Sequence, residues 1–97
     1  MREVRFHPKV PREVREILAY YEEISGTLAD DFWSELTKEI LAARQHPEHF
    51  HFDPSGRRRA NLKRFPYHFL FRVYPAFIRI TIVRHNKRHP RFGSRRE

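Results

Sequence analysis

Residues 67–84 read YHFLFRVYPAFIRITIVR, two apolar-rich β-type runs that meet at Pro75-Ala76. With Pro75-Ala76 as a two-residue turn, Tyr74 faces Phe77 and every pair beyond them follows. Val73 then meets Ile78, Phe71 meets Ile80 and Phe69 meets Ile82, three apolar pairs on one side of a hairpin. The other side carries Tyr74–Phe77, Arg72–Arg79, Leu70–Thr81 and His68–Val83. Pro-Ala is not favoured chemistry for a primed turn, so a longer loop with the same register parity is the alternative. Two arginines set directly opposite each other repel. Either both guanidiniums splay into water at little cost, or they form a fork for phosphate or carboxylate.

Working outward, a further strand is expected near 61–65, after a loop at 47–60 (PEHFHFDPSGRRRA) rich in turn formers. At the other end, residues 2–7 alternate, with Val4 and Phe6 on one side and Glu3 and Arg5 on the other, as in a half-buried strand. Pro8 and Pro11 stop that strand and open a helix. Val10, Val14, Ile17, Leu18, Tyr21 and Ile24 form its single apolar stripe. Gly26 suits the left-handed residue that closes this helix, and Thr27 with Asp30 approximates a capping box for the next. Leu28, Phe32, Trp33, Leu36, Ile40 and Ala43 mark the buried side of the second helix, and Pro47 ends it. Residues 9–46 should therefore be a helical hairpin with almost no loop. The order is β-α-α-β-β-β, an α+β class.

The charge is divided along the chain. Residues 1–56 hold seven Lys/Arg against eleven Asp/Glu, whereas residues 57–97 hold thirteen Lys/Arg and one acid, Glu97. The formal +8 is thus about −4 on one part and +12 on the other. A basic surface of this kind repels itself unless an anionic partner belongs to the working state. A pI near 10.6 directs attention to nucleic acid, a ribosome-like surface or an acidic protein.

Ninety-seven residues make one small domain, residues 1–97. There is no apolar run near 18 residues, so no membrane partner is expected. The start MREVRFHPKV lacks a signal-like apolar segment and reads as cytoplasmic. The absence of cysteine leaves no disulfide framework and no thiolate chemistry, in agreement with a reducing compartment. His46, His49 and His51 lie on a proline-bounded loop without Cys or a second paired motif, so no metal site is assigned. Tyr20-Tyr21 and Trp33 are read as helix-packing residues. Tyr67, Phe69 and Phe71 share a face with Val73 and are read as core rather than a base-stacking platform.

The chain resembles the RelE/ParE superfamily of toxins from bacterial type II toxin–antitoxin modules, in its ParE-like, plasmid stabilisation branch. The resemblance rests on Phe6-His7-Pro8, Tyr20-Tyr21, Leu28-Ala29 with Phe32, and His46-Pro47. More specific are Leu62 to Phe71, above all Arg64-Phe65-Pro66-Tyr67, and Val83 to Pro90. It implies a RelE/ParE-like fold: a small antiparallel-dominated sheet packed against an N-terminal helical hairpin. It also implies a cognate antitoxin with an acidic segment that covers the basic half, touching the first helix and the sheet. No cofactor is implied.

Two mechanisms divide that superfamily. Members of the RelE kind cleave mRNA on the ribosome without a metal. This chemistry needs a base for the ribose 2′-OH, cations for the phosphate and an acid for the leaving oxygen. On this resemblance Arg64, Arg72, Arg79 and Arg84 supply cations and His85 the acid or base, with His68 or Lys63 assisting. The chain departs from many nucleases in having no tyrosine after Tyr74. ParE-like members instead bind and inhibit DNA gyrase, and their basic C-terminal residues contribute. Here Lys87, Arg88, Arg91, Arg95 and Arg96, with Lys63 and His68, are the candidate partner or nucleic-acid contacts. Residues 91–97 are expected to be a flexible basic tail. Gyrase inhibition is the favoured reading; the alternatives are a ribosome-dependent mRNA endonuclease and a non-toxic nucleic-acid-binding module.

Overall fold

A computed structural model describes residues 2–97. Strand β1 (Glu3–Phe6) leads into helices α1 (Val10–Ile24) and α2 (Gly26–Gln45). A 3-10 turn (Pro47–His49) then precedes strands β2 (Arg58–Asn61), β3 (Tyr67–Val73) and β4 (Phe77–His85). The sheet order is β1-β4-β3-β2. β1 runs parallel to β4, while β2–β3 and β3–β4 are antiparallel. This is the expected α+β order, with both helices on one face of a mixed sheet.

The helices join without a loop, but by a different device from the expected one. Ser25 is extended (φ −168°, ψ 132°) and serves both ends. Its N–H donates to Tyr21 O at 2.8 Å and closes α1. Its Oγ accepts from Leu28 N–H at 3.4 Å and opens α2. Gly26 is therefore the first helical residue rather than a left-handed cap, and the Thr27–Asp30 box is not used. An extended N-cap turns the chain as sharply as a left-handed residue and satisfies an orphan helix donor as well.

β2 lies earlier than the 61–65 expected. The N–H groups of Lys63 and Arg64 are taken by the Glu35 carboxylate on α2, which leaves this stretch unable to pair as a strand. Leu62 and Phe65 turn inward and are buried.

The β3–β4 register matches the sequence reading at the turn and departs from it beyond a bulge. Val73 pairs with Ile78, Arg72 with Arg79 and Phe71 with Ile80. The register then shifts by one: Leu70 pairs with Ile82, Phe69 with Val83, His68 with Arg84 and Tyr67 with His85. Thr81 is the extra residue, buried, with Oγ1 donating to Leu70 O at 3.4 Å. The expected pairs Phe69–Ile82, Leu70–Thr81 and His68–Val83 are therefore replaced. A one-residue slip moves every following side chain to the opposite face.

Phe32, Leu36, Phe69, Phe71, Ile78 and Ile80 form the buried centre between helices and sheet. Tyr21, Phe32 and Phe65 pack with centroids 5.1–5.6 Å apart. Tyr20 and Trp33, expected to pack inside, are 58% and 51% exposed. Phe32 and Leu36, four residues apart, face the sheet and turn their neighbour Trp33 toward solvent.

Candidate partner-binding surfaces

The bulge decides which side of the sheet each candidate site residue occupies. Arg84 lies on the outer face, away from the helices, and is only 5% exposed. Its Nε donates to His68 Nε2 at 2.9 Å, and its Nη1 donates to Pro90 O at 3.0 Å and Phe92 O at 2.6 Å. The other His68 nitrogen, Nδ1, donates to Asn86 Oδ1 at 2.8 Å. Because Nε2 accepts from Arg84, the ring is neutral with its proton on Nδ1. Burial pushes His68 down to about 4, against the opposing hydrogen bond to Asn86. Burial also lowers Arg84.

His85 lies on the helix side. Its ring meets Tyr67 edge-on at 5.0 Å, and its Nδ1 accepts from Lys87 N–H at 3.0 Å. It lines a concavity of about 340 Å³ with Glu13, Glu16, Tyr20, Arg84 and Arg88. Arg64 is elsewhere again, with Lys63 at the flank of α2, 3.3 Å from Asp31. Arg72 and Arg79 stand at the turn end of the hairpin. The residues grouped by resemblance as a cleaving centre thus fall into three places: Arg84 with His68 and His85, Arg64 with Lys63, and Arg72 with Arg79.

Residues 90–97, which include the 91–97 stretch expected to be flexible, lie along the outer face of the sheet. The main-chain oxygens of Arg96 and Glu97 accept from Arg57 Nη2 at 2.8 Å and from Arg79 Nε. Gly93 has φ +70°, and a side chain there would run into Ile82 Cδ1. Arg96 turns inward to Glu13, with Nη1–Oε2 2.6 Å, both largely shielded from solvent. This pair closes a gap at the sheet edge. β1 ends at Phe6, leaving Thr81 O and Val83 N–H of β4 without a strand partner. Arg96 Nη1 donates to Thr81 O at 3.3 Å, and Glu13 Oε1 accepts from Val83 N–H at 3.2 Å.

Lys87, Arg88, Arg91 and Arg95 are exposed. The Arg88 guanidinium lies 3.9 Å over the Phe92 ring. Arg88 and Arg91 border an outer-face hollow of about 350 Å³ with Asp53, Arg59, His68 and Arg84. Burial pushes the Asp53 carboxyl up, yet hydrogen bonds from Ser55 and the charges of Arg84 and Arg59 hold it below the usual range.

A second surface was not singled out from sequence. Phe6, Val14, Leu18, Trp33, Leu36 and Ile40 line an apolar groove of about 520 Å³ between α1, α2 and edge strand β1. Phe6 is 44% exposed. The signal available in sequence was a surplus of large apolar residues on the helices, only some of which the core covers fully. His46, Glu48 and His49 bring ligand-type atoms within 4.8 Å of one another on the exposed 3-10 turn.

No known protein family matches the chain, and no curated protein matches it. Among solved structures it is similar to one described as "Chromosomal ParDE TA system from P. aeruginosa". The two share 21% identity with a TM-score of 0.74, over 88% of this chain and 96% of the other. The chain therefore has the fold of a protein in that toxin–antitoxin structure, as the sequence resemblance implied. No helix among the described residues is long and apolar enough to cross a membrane.

Proposed function

We propose that this protein is the toxin of a type II toxin–antitoxin module, that it inhibits DNA gyrase by binding, and that a cognate antitoxin neutralises it. The observation that carries binding over cleavage is the dispersal of the candidate nuclease groups. RNA cleavage needs base, acid and cations converging on one phosphate. Here Arg84 and His68 spend their polar atoms on each other, on Asn86 and on the chain's own carbonyls. His85 borders one concavity with Arg84, but its ring turns to the helix side with its Nδ1 already accepting from Lys87, and Arg64, Arg72 and Arg79 stand elsewhere.

The likeness in fold to the ParDE structure supports the module. The apolar groove supports an antitoxin: an amphipathic segment would bury its apolar face there and turn its acids toward the basic surfaces. Exposed Lys87, Arg88, Arg91 and Arg95 are the residues offered to the target.

One purified preparation tests both mechanisms, in gyrase supercoiling and in mRNA cleavage on programmed ribosomes. Supercoiling should be inhibited and mRNA left intact. Arg88→Glu with Arg91→Glu should weaken inhibition about tenfold, in the range for loss of interfacial charge contacts. His85→Ala should leave it unchanged. Ribosome-dependent cleavage that disappears with His85→Ala would overturn the reading.

A further inference from the structure

Three arginines stand in one line across the outer face of the sheet. The parallel β1–β4 register sets Arg5 beside Arg79, and the antiparallel β3–β4 register sets Arg79 beside Arg72. Neighbouring strands lie about 4.8 Å apart, so the row places three positive charges within roughly 10 Å, about one Debye length at physiological salt. Among the described residues one side-chain carboxylate meets the row, Glu3, 3.2 Å from Arg5 and well exposed. Such a line of like charges is unfavourable by itself.

The next row toward the turn explains how the arginines are held. Phe77 and Tyr74 stack there with centroids 4.6 Å apart and planes at 24°. The Arg5 guanidinium lies 4.1 Å over Phe77, and that of Arg72 lies 5.7 Å from Tyr74. The order along the surface is guanidinium, ring, ring, guanidinium. Ring faces orient guanidiniums while leaving their N–H edges largely unspent. Arg79, between them in the row, donates its Nε to a main-chain oxygen of Glu97. An oxygen of the chain itself thus already occupies the place that a phosphate oxygen would take.

We propose that Arg5, Arg79 and Arg72 form a binding site for the phosphodiester backbone of a nucleic acid, with the end of the 90–97 segment as a displaceable cover. The row runs across the strands. An extended acidic peptide adding to this sheet would run along them, with same-face side chains recurring about 6.8 Å apart. A phosphodiester chain instead carries a charge at every unit and suits forked donors set side by side. The inference stands apart from the toxin reading, and its test contains neither gyrase nor antitoxin.

Fluorescence anisotropy of a labelled single-stranded DNA, the equivalent RNA and a DNA duplex, between about 50 and 200 mM salt, reads the site directly. Each phosphate released contributes about 0.7–0.9 to the slope of log affinity against log salt. Changing Arg5, Arg72 and Arg79 together to Gln should lower that slope by about 2 to 3 and the affinity at least about tenfold. Changing Lys9, Arg12 and Lys38 to Gln removes the same formal charge elsewhere and should leave the slope in place. Arg72→Lys with Arg79→Lys keeps the charge without the fork; it should keep the slope and bind more weakly. The three probes together distinguish single strand from duplex and DNA from RNA. Thermal melting of each variant checks folding, and the Lys pair decides the matter if the Gln variant does not fold. Equal losses in both Gln variants, an unaltered slope in the row variant, or equally tight binding of a labelled poly-glutamate would overturn the proposal.

Discussion

The face of the sheet that meets the helices is held by apolar packing, whereas the outer face is held by arginines reaching main-chain oxygens of the chain's last residues. On the first, Phe32, Phe69, Phe71, Ile78 and Ile80 are fully buried and carry no titrating group. On the second, Arg57, Arg79 and Arg84 each donate to main-chain oxygens of residues 90–97, and a buried neutral histidine stands among them. The difference teaches where this molecule can respond to its surroundings. Dry packing depends little on salt or pH near neutrality, while hydrogen bonds from cations to main-chain oxygens can be exchanged for bonds to an external anion.

The comparison breaks first in the core. Phe32→Ala should cost about 3–5 kcal/mol, read as a lowered urea midpoint, because the cavity lies between helix and sheet with no solvent to fill it. A change on the outer face that cost as much would erase the distinction between the two faces.

The outer face should respond next, to acid. Unfolded His68 titrates near 6.5, and in the fold it is pushed down to about 4. Between these values the unfolded chain holds a proton that the folded chain does not, so stability rises with pH across that window. Lowering the pH from 6.5 to 4 should cost about 3 kcal/mol from this group. His7, lowered by burial and by Arg96 and Arg79, adds a loss of the same sign. Urea midpoints measured across the window should follow this slope, and His68→Gln should flatten most of it.

A smaller effect belongs to the joint between the faces. Glu13 reaches from α1 to Val83 N–H and to Arg96, so Glu13→Gln should cost about 2 kcal/mol. Melting should fall by about 10 °C for a chain of this size. A double-mutant cycle with Arg96→Ala should show coupling; strict additivity would mean that residues 90–97 do not lie where described.

The smallest stability effect is expected in the groove. Trp33→Ala should change stability by about 0.5 kcal/mol or less, since half its surface is already in water. Affinity for the antitoxin, measured by calorimetry with the product of the adjoining reading frame, should fall at least about tenfold. Unchanged affinity would move the antitoxin away from the groove.

Much of this architecture was legible in the residues. The apolar stripes of α1 and α2, the alternation of β1 and the Val73–Ile78 and Phe71–Ile80 pairs each follow from one local periodicity. The bulge was not legible. Ile82 and Val83 are adjacent and both apolar, so either register puts an apolar residue opposite Phe69. Thr81 is a good strand residue and gives no warning of a bulge. Contacts from outside the hairpin accompany the shift: Glu13 on Val83 N–H, Arg96 on Thr81 O and Gly93 over Ile82. For the candidate site the consequence is large, because the slip sends Arg84 and His85 to opposite faces from those a regular hairpin would assign.

The sequence alone determined the α+β order, the helical hairpin, the opposed Arg72–Arg79 pair and the concentration of positive charge after residue 56, because each is a matter of local spacing or composition. Only the tertiary structure decided that Arg5 joins that pair in a row, that Arg84 is locked to His68, and that Trp33 lines a groove. Those facts depend on parallel pairing between distant strands, on a one-residue slip, and on which side of a helix the sheet covers. None of these is encoded in a stretch short enough to read by itself.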